Sequence, residues 1–314
     1  MDTQNDTFLP YEEIVERLEC IAAEHEVASL KFVGPVAVIQ LNAPSQHSAP
    51  SVLPQAWLQG GLHACEWIGP AITLRLLEEL LAEPDILMRA EWHLAPVVEA
   101  AGYQKTWAGD RHFRASENGE NPNLNFPFQW GECSPWLKRL LGRRLHKAIG
   151  PHPESAESVK GIASALRALP NLQLFMDFHG FGRRWLHPWA HTKEPSAHHE
   201  AHQLASSIAV KAANQVSMTQ DYRAHAAARM EAPMGGTSID FAHGELGCVH
   251  SYAVELPPSM PSLPRALARD TLRGDPWRWW KEGMDPQEAT VVQAGDEMKS
   301  AIFALARHIF PSQA

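Results

Sequence analysis

The sequence of 314 residues is 45% hydrophobic and 20% charged, the composition of a soluble globular protein and not of a disordered chain. With 27 Lys and Arg against 36 Asp and Glu it carries a net charge of −9, which argues against a nucleic-acid partner. No basic leader with an apolar run opens the chain and no stretch of about 18 uninterrupted apolar residues occurs in it, so no membrane partner is indicated and a cytoplasmic location is expected.

In chain order, "YEEIVERLECIAAEH" places Ile14, Val15, Leu18, Ile21 and Ala22 at helical spacing and predicts an amphipathic helix. "VAVIQL" and "AWLQGG" read as strands, followed by the loop "LHACEW" and the apolar helix "AITLRLLEELLAE", which Pro84 stops. "EWHLAPVV" predicts another strand, residues 131–153 read as irregular, and 154–169 as a helix. "LQLFMDF", after Pro170 and Asn171, has the length and composition of a buried strand. A helix over 197–214, a late strand in "CVHSYAVEL", an irregular Pro-rich stretch at 257–264 and a final amphipathic helix over 291–309 complete the pattern. Strands alternating with helices predict an α/β fold, a three-layer sandwich, with residues 1–314 forming one domain. Cys20, Cys65, Cys133 and Cys248 are scattered without a CxxC spacing and read as free thiols. The 17 His and 11 Trp stand out, but abundance alone does not assign a metal site.

Chemistry gathers at strand ends. In "GGLHACEW", His63 and Glu66 stand three apart, close enough to share one metal ion through a ring nitrogen and a carboxylate oxygen. The same spacing recurs at His191 and Glu194, but only the first pair follows a predicted strand, where α/β sheets bind ligands. A catalytic zinc needs a third protein ligand, and His179 in "LQLFMDFHG" completes a His-Glu-His set. Asp177 shares the strand face of His179 and reads equally as a partner of that ligand or as a satisfied buried acid. Hydrolysis also needs a carboxylate that takes a proton from the attacking water and passes it to the leaving group, a role open to Glu255 in "SYAVELPP". Arg111 or Arg114 in "TWAGDRHFR" offers a donor to the developing oxyanion, and spacing does not choose between them. "NPNLNFPFQW", residues 121–130, carries three asparagines in five positions and by itself reads as a turn.

Together these stretches resemble the zinc metallocarboxypeptidases of the carboxypeptidase A and B type. "GGLHACEWIGPA" is similar to that family's G-I-H-A-R-E-W-I-S-P-A, "GYQKTWAGDRHFR" to its G-Y-x-Y-T-W-x-x-x-R-x-W-R, and "NPNLNFPFQW" to its D-x-N-R-N-F segment. "DFHGFGRRWLHPWAHT" resembles the third-ligand strand with its Y-P-x-G-Y-T continuation, and "GGTSIDFAHGELGCVHSYAVEL" the closing G-G-S-x-D-W to F-E-L run. The resemblance implies that His63, Glu66 and His179 bind one zinc ion, that Glu255 is the general base and acid, and that Arg114 is the arginine that polarises the scissile carbonyl. It also implies a mixed, twisted sheet of about eight strands between helices and a catalytic domain without an inhibitory pro-segment.

The departures from the family pattern fall on substrate recognition. Its Asn-Arg pair, which grips the substrate's terminal carboxylate, is Asn123 and Leu124 here, and an arginine of the first motif is Cys65. The tyrosine that closes over substrate in the family should fall near Glu231 or Ala232, where this sequence has none, and the aspartate behind the first zinc histidine is Asn121. Arg183 and Arg184 follow His179 and read either as a substitute anion grip or as a solvated pair. Ile239 in "TSIDF" stands where the family sets side-chain preference and favours aliphatic or aromatic groups. The expected function is a zinc-dependent hydrolase of an amide bond in a peptide or peptide-like substrate. The alternatives are a zinc-dependent amidase, deacylase or esterase whose substrate lacks a free C-terminal carboxylate, and a catalytically silent zinc- or ligand-binding module.

Overall fold

The apolar strand runs meet in one eight-stranded sheet. The computed structural model describes residues 7–42, 53–230, 232–261, 263–273, 275 and 277–311. Helix α1 (Tyr11–Glu24) leads into the hairpin of β1 (Ala28–Val33) and β2 (Val36–Leu41). Strand β3 (Gln55–Gly60) is followed by α2 (Ile68–Ala82), α3 (Pro84–Leu87), β4 (Glu91–Ala95) and α4 (Ala100–Trp107). After a 3-10 turn at Pro122–Leu124 come α5 (Pro135–Leu141), α6 (Arg143–Ile149), α7 (Glu157–Arg167) and β5 (Leu172–Gly180). Strand β6 (Arg184–His187), α8 (His199–Val216), β7 (Arg223–Ala226), α9 (Ala227–Met230) and α10 (Ser238–Gly244) lead to β8 (His250–Leu256). The chain closes with α11 (Leu263–Leu272), α12 (Arg278–Met284) and α13 (Glu288–Ile309).

The strand order is β1-β2-β4-β3-β5-β8-β6-β7. The central pairs β4-β3, β3-β5 and β5-β8 are parallel, while β1-β2, β2-β4 and β8-β6 are antiparallel and β6-β7 is parallel. The predicted mixed sheet of eight strands is therefore present.

Alternation along each strand sends side chains to two apolar layers. Leu174, Met176 and Phe178 of β5, Tyr252, Val254 and Leu256 of β8, and Trp185 of β6 pack in one cluster with buried positions of α1, α2, α8 and α13. Phe175 of β5, Ala253 of β8 and Leu186 of β6 pack on the opposite side with Ile162 and Leu166 of α7 and Ile239 and Phe241 of α10. Asp177, His179, Glu255 and Arg184 share the parity of this second set, so the polar side chains lie on the α7 and α10 face. Among the described residues, no helix is long and apolar enough to cross a membrane.

Glycines let the layers close where the candidate site forms. A Cβ on Gly60 would lie 2.5 Å from the backbone of Gly69, and one on Gly69 would lie 2.5 Å from the carbonyl oxygen of Phe178. Two glycines thus bring the start of α2, and the loop before it, against the end of β5. Chain order reverses about the β3/β5 pair, with β4 on one side of β3 and β5 on the other. This is the crevice at which open α/β sheets bind ligands.

Candidate metal centre and active site

His63 and Glu66 sit in the loop that leaves β3, and His179 in the last turn of β5; all three are buried. His63 Nδ1 lies 2.9 Å from Glu66 Oε1, His179 Nδ1 lies 2.9 Å from Glu66 Oε2, and the two Nδ1 atoms are 3.2 Å apart. Among the described residues this is the one group of three with ligating atoms mutually close enough for a metal ion.

The outward-facing ring nitrogen of His63 sets its tautomer. Asn121 Oδ1 accepts the backbone N–H of Asn123 at 3.1 Å, which orients its oxygen toward His63 Nε2, 2.9 Å away. His63 therefore carries its proton on Nε2 and turns a lone pair on Nδ1 inward. His179 Nε2 stands 3.1 Å from Asp177 Oδ2, an ionic contact outside hydrogen-bond alignment. Three electron-pair donors converge on one buried point, an arrangement that repels itself until a cation or a proton sits among them. Two imidazoles and a carboxylate are also the donor types zinc takes, so the residues present fit the ion.

The charges of these side chains point the same way. Burial would raise the Glu66 carboxyl, but His63, Arg114 and His179 hold it well below the usual carboxylate range. Burial would lower His179, but Asp177 and Glu66 push it well above the ordinary imidazole value. Burial, then the Arg114 charge, pushes His63 down to about 4. The pocket thus favours positive charge opposite Glu66 and Asp177 while keeping His63 neutral.

Each asparagine of the 121–125 stretch has separate work. Asn121 orients His63, and Asn123 Oδ1 accepts the backbone N–H of Ser238 at 2.9 Å, at the start of α10. Asn125 Nδ2 donates to the carbonyls of Ile149 and His152 and to Ser155 Oγ, while its oxygen accepts Ala156 N–H. Ser238 Oγ donates to Asp177 Oδ2 at 2.5 Å, so α10, β5 and the asparagine loop form one bonded unit. Asp177 is at once the partner of His179 and a buried acid with a hydroxyl donor. Gly236, at φ +81°, would put a Cβ 2.5 Å from the Leu124 carbonyl oxygen, so the loop presses directly on the turn before α10.

Geometry separates the two arginines that spacing could not. Arg111 donates to the carbonyls of Cys65 and Met284, pairs with Asp285 at 2.7 Å and lies 3.8 Å over the Trp67 ring, which makes it a strut. Arg114 Nη1 stands 3.3 Å from Glu66 Oε1 with no hydrogen-bond partner among the described residues. Glu255 on β8 is half-buried, directly across from His179 on one side and from Arg184 on the other. Leu124 is half-buried in the loop, and Ile239 is buried in the first turn of α10, in the same apolar cluster as Leu186 and Ala253.

The turn into β6 splits the Arg183-Arg184 pair: Arg183 lies just before the strand with φ +52°, and Arg184 is its first residue. Arg183 is buried and points away from the metal centre, its Nη1 2.9 Å from Glu297 Oε1 and 3.2 Å from Ser217 Oγ, and its Nε 3.4 Å from Asp221. The expectation that Arg183 grips substrate is corrected accordingly: two carboxylates already hold its guanidinium. Arg184 lies on the face of Glu255. Of the two positions where a closing tyrosine was sought, Glu231 lies outside the described residues.

One wall of the site was missed. Cys65, Phe181 and Met284 form a small buried cluster with Met260, Trp279 and Trp280, so α12 leans against the loop that carries Glu66. Burial, then the Glu66 charge, pushes the Cys65 thiol up to about 12, so it packs there as a neutral group. The run Trp277-Arg278-Trp279-Trp280 was the available signal, since so many large aromatics in four positions need a surface to cover.

A family model described as zinc carboxypeptidase matches residues 34–274. The chain belongs to the zinc carboxypeptidase family. It is 26% identical over 272 residues to carboxypeptidase B of Astacus astacus, covering 78% of this chain and 85% of the relative. Zinc carboxypeptidase A 1 of Anopheles gambiae is 26% identical over 269 residues, covering 80% of this chain, which spans 56% of that protein. The carboxypeptidase A structure from Helicoverpa armigera superimposes with a TM-score of 0.83 at 21% identity, covering 98% of this chain and 75% of the other, a likeness of fold. Membership of the zinc carboxypeptidases supports a zinc metallohydrolase, a zinc-dependent peptide hydrolase, and names zinc as the metal the His63, Glu66 and His179 set is suited to hold.

Proposed function

We propose that one domain carries a zinc-dependent hydrolase acting on an amide bond of a peptide or peptide-like substrate. In this reading His63, Glu66 and His179 hold one zinc ion, Glu255 is general base and then general acid, and Arg114 stabilises the developing oxyanion. The observation that carries it is the convergence of three buried donors at the sheet crevice with a carboxylate directly across the next strand from His179. Zinc held there supplies a Lewis acid that polarises a carbonyl and lowers the pKa of water.

The chain's own groups do the remaining work. Glu255 takes the proton of the attacking water and delivers it to the departing amine, for which its half-buried setting suits it. The available Arg114 Nη1 donates to oxygen as negative charge grows on it. Asn121 fixes the His63 ring, Asp177 sets a negative charge beside the His179 ring, and the cluster around Cys65 and Phe181 keeps water from one side. Hydrolysis of a panel of blocked peptides by the zinc-loaded protein tests the reading, and a panel left intact would refute it.

Leu124 favours a second reading, an amidase, deacylase or esterase whose substrate presents no carboxylate at that point. An anion beside an aliphatic side chain lacks the partner a bidentate arginine provides, a loss of about 3–5 kcal/mol when the anion is buried. Matched peptides with free and amidated ends separate the two. The Leu124→Arg variant is expected to raise the free-acid over amide ratio of kcat/KM by about tenfold or more. An unchanged ratio would mean that no terminal carboxylate reaches this loop.

A further inference from the structure

The row His179, Glu255, Arg184 crosses three adjacent strands, β5, β8 and β6, in direct register, and Arg223 of β7 continues it opposite Arg184. Residues directly opposite one another in a sheet project to the same face, about 4.8 Å apart from strand to strand. Side-chain placement agrees with the register. A Cβ built on Gly182 would stand 3.4 Å from Glu255 Cβ and 3.7 Å from both Cδ and Nε of Arg184, so the arginine stem folds over this glycine beside Glu255. Two residues along β6 on the same face, Leu186 packs with Ile239 and Ala253.

Arg184 is half-buried, and among the described residues neither it nor Arg223 has an ion pair. Arg223 donates only to backbone carbonyls, those of Gln220 and Tyr222. His225, next on that face of β7, is pushed below its ordinary value by burial and then by Arg184 and Arg223. Like charges directly opposite on paired strands destabilise a sheet. Here two such arginines and a histidine stand together in a chain of net charge −9, while the adjacent Arg183 is paired with Glu297 and Asp221. This positive charge lies along the strand edge that leads to Glu255 and outnumbers that one carboxylate in the row.

We propose that Arg184, backed by Arg223 and His225, is the anion-reading wall of the active site, and that the part of the substrate released on cleavage carries a carboxylate that this wall binds. The proposal rests on the hydrolase reading above and deepens it by naming the residue that reads the carboxylate. It also relocates the anion grip lost at Leu124 from the asparagine loop to β6. The carboxylate comes either from the C-terminus of the peptide or from an acidic last side chain, and both present the same group to a guanidinium.

The experiment measures kcat/KM for the zinc-loaded protein on blocked dipeptides in two matched pairs, one ending in Glu or Gln, the other ending in Leu as free acid or amide. The preference for the carboxylate member of at least one pair is expected to fall about 10- to 100-fold in Arg184→Gln, and less in the same direction in Arg223→Gln, whose site is exposed. The pair that responds identifies the source of the carboxylate. Thermal melting and zinc content of both variants show that they are folded and loaded. Preferences that survive both substitutions in folded protein overturn the proposal. If wild type hydrolyses nothing, the hydrolase reading fails separately, and calorimetric binding of N-acetylglutamate decides the wall. Affinity reduced about tenfold in Arg184→Gln supports it, and equal or absent binding in wild type and variant overturns it.

Discussion

Glu255→Gln is expected to lower kcat by about 100- to 10,000-fold, the range for loss of a positioned general base, with the zinc content unchanged. The substitution keeps shape and removes the ability to accept a proton. Glu255 is not among the three residues whose donor atoms converge on the metal point, so metal retention should be independent of it. It faces His179 across β5 and β8, beside the candidate centre and outside its donor set. Saturation kinetics with metal analysis of the same preparation check this. A kcat within tenfold of wild type in zinc-loaded variant would remove Glu255 from the role.

Arg114→Ala is expected to cost about 100- to 1000-fold in kcat/KM, mostly through kcat, as loss of an oxyanion donor does. Its Nη1 beside Glu66 has no competing hydrogen bond among the described residues, so the donor is available to oxygen charge that appears only during reaction. Arg111→Ala provides the contrast. That guanidinium ties the Cys65 and Met284 carbonyls to Asp285 and stacks on Trp67, so its loss should show first as a lower melting temperature. Kinetic damage confined to Arg111→Ala would reverse the assignment.

The candidate metal centre and much of the sheet could be read from sequence because they rest on short-range rules. β2, β3, β4, β5 and β8 are buried runs bounded by turns, and each of His63, Glu66, His179 and Glu255 lies at or just beyond a strand end. β1 escaped the pattern because it lies at the sheet edge with no fully buried residue, and β6 and β7 because four residues carry too little periodicity. The stretches at 131–153 and 257–264, read as irregular, enclose or lead into α5, α6 and α11; prolines in the first two positions of α5 and α11 and Gly142 before α6 resembled turns. What no spacing rule held was long-range: that Asn125 binds a loop some 25 residues away, that Arg183 turns to Glu297 while Arg184 turns to Glu255, and that α12 covers Cys65. The resemblance chose Arg114 over Arg111; the structure places Arg114 beside Glu66 and ties Arg111 to the Cys65 and Met284 carbonyls.

In the hydrolase reading, amide hydrolysis depends on a zinc ion held by the buried His63, Glu66 and His179 set. Metal analysis of the purified protein, followed by turnover after chelation and after zinc is returned, tests it most directly. One zinc per chain, activity lost on removal and regained on return is the predicted result. Native protein that hydrolyses the same amides without metal, or that takes up no zinc while folded, would contradict it.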